Sequence, residues 1–218
     1  MTTEHLGTGE PGLVTSTAHP AKPEILVRVG VVAALACGAL TTLHEVWEDA
    51  IPGIQQGAGW SLLHTSWLAA MFVAFLGITA VQRPGLDKFG RIATRTALVG
   101  TGAQTIMAAI ETGTLVGRTP TSDDPAAPIL AAILAVIAVY VAGMILLSVA
   151  TIRAGVLPRS AGAVLLLAVL LKMFASGAIP GTLALLGLAV AWVGLAAWRA
   201  ARQCPVQPQT SGPLAATL

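Results

Sequence analysis

Arg83-Pro84-Gly85-Leu86-Asp87-Lys88-Phe89-Gly90-Arg91-Ile92-Ala93-Thr94-Arg95 separates two apolar runs, 60–81 and 96–117, and holds four of the chain's twelve Lys and Arg residues. A helix needs about 20 mainly apolar residues to cross the hydrocarbon of a bilayer, and each run is long enough. Between them the Pro-Gly pair stops a helix, because proline lacks a backbone donor and glycine frees φ. The four cations stay out of lipid and mark a cytoplasmic loop, where Lys and Arg are retained. The stretch therefore reads as the cytoplasmic bend of a transmembrane hairpin, and it sets the direction of every other run.

Four further runs, 26–47, 127–150, 160–178 and 182–199, complete the expected fold: an all-α, polytopic bundle of six transmembrane helices. Pro52-Gly53, Pro125, Pro128, Leu157-Pro158 and Ile179-Pro180-Gly181 punctuate them. Lys22 and Arg28 flank the start of the first run, Arg153 and Arg159 join the fourth and fifth, and Arg199 and Arg202 follow the sixth. With the four of the first bend, ten cations occupy alternate loops; the other loops hold Arg118, and Lys172 lies inside a run. Both termini are thus expected in the cytoplasm. Trp47 and Trp60 then mark the outer interface and Trp198 the inner one. Residues 1–24 and 201–218 are polar and Pro/Thr-rich, and read as disordered cytoplasmic tails around a transmembrane domain at 25–200.

Composition agrees with this organisation. Apolar residues make up 55% and charged residues 10%, with a mean hydropathy of +0.79; a soluble domain carries about 25% charged residues. The net charge of +2 is sorted by side and forms no basic groove, so nucleic acid is excluded as a partner. Cys37 sits in the first run and Cys204 in the C-terminal tail, which excludes a disulfide framework. Gly30, Ala34 and Gly38 recur every four residues on the first helix and predict a close helix–helix contact.

Ionisable groups within a span are costly and so mark function. Here they are His44, Glu45, Glu48, Asp49, His64, Glu111 and Lys172. With alternating helix directions and about 1.5 Å of rise per residue, they fall roughly 4–9 Å beneath the outer boundary. Thr41, His44, Glu45 and Glu48 share a face of the first helix, as do Thr101, Gln104, Ala108 and Glu111 on the third. A polar pocket between helices one, two, three and five is expected, with Glu111 facing Lys172, since an unpaired buried charge is expensive.

Three chemistries suit such a pocket. His44 and Glu48 stand one turn apart, and His64 offers a third ligand; zinc accepts two His and a carboxylate. His44 facing His64 is also the pattern of an axial haem pair. The third is acid–base chemistry on a lipid, which needs neither cofactor nor metal. A carboxyl group in apolar surroundings keeps its proton and can deliver it to an alkene or epoxide. Glu111 is the acid in this reading, Glu45 or Glu48 its partner, with His44 and His64 in the same layer. Gln104 and Lys172 then contact substrate, and Trp47 and Trp67 offer their ring faces to developing positive charge.

Two stretches resemble small bacterial multi-pass inner-membrane proteins of uncharacterised function: Arg153-Ala-Gly-Val-Leu-Pro-Arg-Ser-Ala-Gly162 and Gly59-Trp60-Ser-Leu-Leu-His64. The size and the intramembrane carboxylates are also similar to integral membrane terpene cyclases, which protonate isoprenoid chains with acidic residues. Those proteins usually show seven helices and an acidic pair on distant helices. In this chain the sixth helix has no acid, so Glu45 or Glu48 with Glu111 would take those parts. The resemblance implies an isoprenoid or other lipid-like substrate, cyclised after protonation. The alternative is a small transporter or resistance protein, or a haem- or metal-binding accessory subunit. A transporter would need its polar route to continue inward, and below Gln104 the inner halves carry mainly Thr, Ser and Gly. The sequence sets no oligomeric state.

Overall fold

The structure, a computed structural model, describes residues 22–51, 57–117, 127–176 and 178–203. Most of both polar tails, and Pro52, Gly53, Arg118 and Pro125, lie outside these. The fold is all-α. Among the described residues there are six α-helices: α1 (Lys22–Ala50), α2 (Ala58–Gln82), α3 (Lys88–Gly117), α4 (Ala127–Ala154), α5 (Arg159–Ala175) and α6 (Thr182–Gln203). The Arg83–Gly85 segment tightens into a 3-10 turn that ends α2, as its proline requires. Asp87 then starts α3 by accepting the Gly90 N–H at 2.7 Å, and its other oxygen lies 3.3 Å from Arg153 at the end of α4. The Arg153 guanidinium covers the Phe89 ring, 4.9 Å from its centroid. At the cation-rich end of the bundle the start of α3 is thus tied to the end of α4.

Among the described residues, four segments are long and apolar enough to cross a membrane: Glu24–Glu48, Ala58–Gly85, Leu130–Ala154 and Thr182–Gln203. α5 falls short by length, at 17 residues, and α3 by its polar positions. The outer surface of the bundle is apolar, with Val32, Val99, Ile106, Leu134 and Phe174 all well exposed. A water-soluble fold would bury such residues.

Successive helices are joined by short connections and run antiparallel. Each packs on the next, α6 returns to α1, and α2 also touches α6. The six helices therefore close a ring in chain order. Its middle is filled by Leu68, Met71, Phe75, Leu147, Leu165, Val190 and Val193, each almost wholly buried. Polar ties cross the ring as well. Gln82 on α2 donates to the Thr151 hydroxyl of α4 at 2.9 Å, and Thr65 of α2 meets Thr112 of α3 at 3.0 Å.

Contact between α1 and α2 depends on two glycines. A Cβ added to Gly77 would lie 2.6 Å from the Gly30 Cα, and one added to Gly30 would lie 2.5 Å from the Gly77 Cα. Backbone therefore meets backbone, the gain of small-residue packing where lipid supplies no hydrophobic drive. Gly77→Ala is expected to destabilise the purified protein by about 1–3 kcal/mol, the usual cost of overpacking, read as a lowered thermal unfolding midpoint. Gly113→Ala, where a Cβ meets nothing within 4 Å, should leave the midpoint unchanged or slightly raised.

Candidate functional site

The end of the ring opposite the cation-rich loops holds a cavity of about 270 Å³ to which all six helices contribute. α1 supplies His44 and Glu48, α2 supplies Trp60, His64 and Trp67, and α3 supplies Gln104. Tyr140 and Met144 come from α4, Lys172 and Met173 from α5, and Leu183 and Leu186 from α6. Glu48 and Met173 are exposed, so the mouth has one acidic and one apolar margin. The floor is the hydrophobic filling of the ring, beginning with Leu68 and Met144.

Four aromatic rings cluster in the wall. Trp60 stacks on His64 with centroids 5.1 Å apart and planes at 27°. His44 lies 4.7 Å from Trp60 and 5.4 Å from His64, and Trp67 meets His64 edge-on at 5.2 Å. The helical register explains this. Trp60, His64 and Trp67 lie four and three residues apart and share one face of α2, which α1 covers with His44.

His64 Nδ1 and His44 Nε2 are 3.3 Å apart, the distance of a hydrogen bond that either ring can donate. On the far side of His44, Nδ1 is buried without a hydrogen-bond partner and lies 3.8 Å from the Glu48 carboxylate. His44 itself is 3% exposed, whereas the Glu48 side chain is 40% exposed. In the row Glu48, His44, His64 the middle member is the most buried. The two imidazoles can pass a proton between them, and Glu48 stands beyond hydrogen-bond distance of His44. The indole N–H groups of Trp60 and Trp67 and the side-chain oxygen of Gln104 are likewise buried without partners. Tyr140 donates to the Met71 sulfur at 3.5 Å.

Of the residues expected at the site, His44, Glu48, His64, Trp67, Gln104 and Lys172 come together around the cavity. Glu45 has a different position. Its two carboxylate oxygens accept the backbone N–H groups of Gly181 at 2.7 Å and Ala184 at 2.6 Å, so it caps the start of α6. Gly181, with φ at +87°, makes the turn that presents the first of these donors. Glu111 is exposed near the end of α3, as are Ala109, Ile110 and Gly113 around it, and it is not among the described residues lining the cavity. Lys172 is there without it. Trp47 is 37% exposed on α1 and also stands apart from the cavity. The structure describes the backbone at Asp49 and not its side chain. Thr41 and Thr101 turn back to the carbonyls of Cys37 and Ala97, four residues earlier, and their polarity is spent within their own helices.

The donor set does not fit a haem or a zinc ion. The two histidines touch each other directly, with indoles packed against them, which leaves no plane for a macrocycle between the rings. Among the described residues no three His, Cys, Asp or Glu side chains converge as metal ligands. Sequence reasoning missed the contributions of α4 and α6. Tyr140 was the available signal: it is the chain's one tyrosine, set inside its most apolar run. Trp60, read as an interface marker, belongs to the ring cluster.

No protein-family model, curated protein or solved structure matches the chain. The site therefore has to be judged on its own geometry. If Glu45 is a cap, Glu45→Ala exposes two orphaned backbone donors and should cost about 1–3 kcal/mol, seen as a lower unfolding midpoint. Ligand binding by the surviving folded fraction should be preserved.

Proposed function

We propose that this chain is a six-span bacterial inner-membrane protein, both termini cytoplasmic, that admits a lipid-like small molecule to its outer-end cavity and performs acid–base chemistry on it. The proposed acid–base group is the His44–His64 pair, linked to outside water by Glu48. The observation that carries this reading is the direct contact of two histidines inside an otherwise apolar, ring-lined cavity. Such a pair can pass a proton from one ring to the other across their shared hydrogen bond. The expected acid, Glu111, is replaced in this role because it stands outside the cavity.

Six spans are supported by the ring itself. α3 packs between α2 and α4, and α5 between α4 and α6, so both occupy the same layer as helices of spanning length. The outward positions Ile92, Val99, Ile106 and Ile110 give α3 an apolar exposed stripe in spite of its polar inner face. The tightly filled middle of the ring favours a closed pocket over a transport path.

A reporter fused after Arg159 separates the topologies. Six spans place it in the cytoplasm, whereas four would leave α3 inside and send the end of α4 to the outer side. Fusions after Arg91 should read cytoplasmic and those near Gly57 external. An external signal at Arg159 would overturn the six-span arrangement.

Chemistry is tested by lipid profiling of membranes that express each variant at equal level. A lipid species that rises with the wild-type chain should rise about 10²–10⁴-fold more slowly with His64→Ala, the usual loss for a general acid–base group. Glu111→Gln should behave as wild type. Equal product formation by His64→Ala would remove the histidine pair from the chemistry.

A further inference from the structure

The cation-rich end of the bundle carries a second cavity, of about 320 Å³, that shares no lining residue with the first. One wall is the turn at 155–158 between α4 and α5, anchored by Leu157, which is almost wholly buried. The other wall is the last part of α6, from Trp192 to Arg199 and Gln203. Helical spacing decides what this second wall continues into. Leu185, Leu188, Trp192, Ala196, Arg199 and Gln203 follow one another at three or four residues, and so form a single stripe along α6. Leu185, Leu188 and Trp192 are well exposed. The stripe is thus apolar and open along the middle of the helix, and ends at the cavity with a guanidinium and an amide.

Charge selects the sign of the occupant. From Pro125 to Leu218 the sequence contains no Asp or Glu, yet it contains Arg153, Arg159, Lys172, Arg199 and Arg202. The two acids described at this end are already engaged, Glu24 with Arg28 and Asp87 with Arg153. Arg202 lies over the Trp198 ring, 4.4 Å from its centroid. Among the described residues no carboxylate lies within salt-bridge distance of Arg159 or Arg199, and no acid lines the cavity. A guanidinium in that position favours an anionic oxygen, to which it can give two parallel N–H donors. The Gln203 amide adds a further donor on the same wall. A zwitterionic head would bring its ammonium among arginines with no carboxylate to receive it, so net negative charge is favoured. A small soluble anion would meet Arg199 and leave the apolar stripe bare, whereas an anionic amphiphile covers both.

We infer that this second cavity holds the phosphate head of an anionic phospholipid, with an acyl chain lying along the α6 stripe past Trp192 and Leu188. Length supports the match. From Arg199 back to Leu188 the helix covers about 16 Å, the depth of one leaflet of a hydrocarbon core about 30 Å thick. The bound lipid spans the α4–α5 turn and the end of α6, and α6 is the helix that returns to α1. The site is independent of what the outer-end cavity receives.

The test uses the full chain in dodecylmaltoside micelles and counts lipid retained per chain by native mass spectrometry as lipid is added. The probes are dioleoylphosphatidylglycerol, dioleoylphosphatidylcholine and glycerol phosphate. Saturable retention of the phosphatidylglycerol near one per chain is expected, with the phosphatidylcholine held about tenfold more weakly. Arg199→Gln should weaken the phosphatidylglycerol about tenfold, the loss of one charge-assisted contact, and Arg199→Lys should weaken it less. Arg91→Gln removes an exposed cation from the same end but outside the cavity, and should change nothing. Because Arg199 is itself exposed, its variants should keep the unfolding midpoint of the lipid-free protein. Equal weakening by Arg199→Gln and Arg91→Gln would overturn the site in favour of a diffuse charge effect. Phosphatidylcholine held as firmly as phosphatidylglycerol would overturn the anionic class. Displacement of the phosphatidylglycerol by millimolar glycerol phosphate would overturn the lipid and leave a site for a soluble phosphate. Absence of saturable retention would defeat the inference outright.

Discussion

Glu45 closes the ring. A helix begins with backbone N–H groups that have no partner inside it, and α6 begins beside apolar neighbours where water cannot serve them all. The Glu45 carboxylate takes two of these donors at 2.6 and 2.7 Å. It does so at the positive end of the helix dipole, where a negative charge is most favourable. Because Glu45 belongs to the last turns of α1, this contact joins the first helix of the ring to the last. The residue just before it, His44, is then fixed with its ring in the cavity. A cavity-lining imidazole and the carboxylate that joins α1 to α6 thus occupy adjacent positions of one helix.

The site is asymmetric about His44. Toward water stands a half-exposed carboxylate, and toward the interior a second imidazole among indoles. His44 and His64 meet within hydrogen-bond distance, and Glu48 lies 3.8 Å beyond. Among the described residues no such row continues inward. Below the rings the bundle is packed with leucine, valine, methionine and phenylalanine, and Thr101, Thr112, Ser148 and Thr151 bond to carbonyls of their own helices.

Most of the fold was legible because its signals are local. Pro84-Gly85 and Leu157-Pro158 end helices where the sequence places them, and the boundaries of α2, α4 and α6 fall within a turn of their apolar runs. Counting residues from the helix ends puts His44, Glu45, His64, Glu111 and Lys172 at one level, and of these His44, His64 and Lys172 line the cavity. Direction around each helix was harder. Glu111 shares a helical face with Gln104, yet near the end of α3 the flanking positions are exposed, and Thr112 carries the contact instead. Glu45 was read as a proton carrier because no local pattern reveals that the start of α6, well over a hundred residues away, will land on it. Long-range contacts of that kind follow from the closure of the ring, which the sequence of any single helix does not encode.

The shortness of α5 has a consequence for the cavity. Its 17 residues reach about 25 Å, less than the hydrocarbon thickness of about 30 Å, while α1, α3 and α4 run to 28 residues or more. Lys172 stands in the last turn of this short helix, where a long cationic side chain can reach polar surroundings. The cavity lining takes in Lys172 and Met173 at the end of this helix, so the early end of α5 sets the level at which the ring of helices opens.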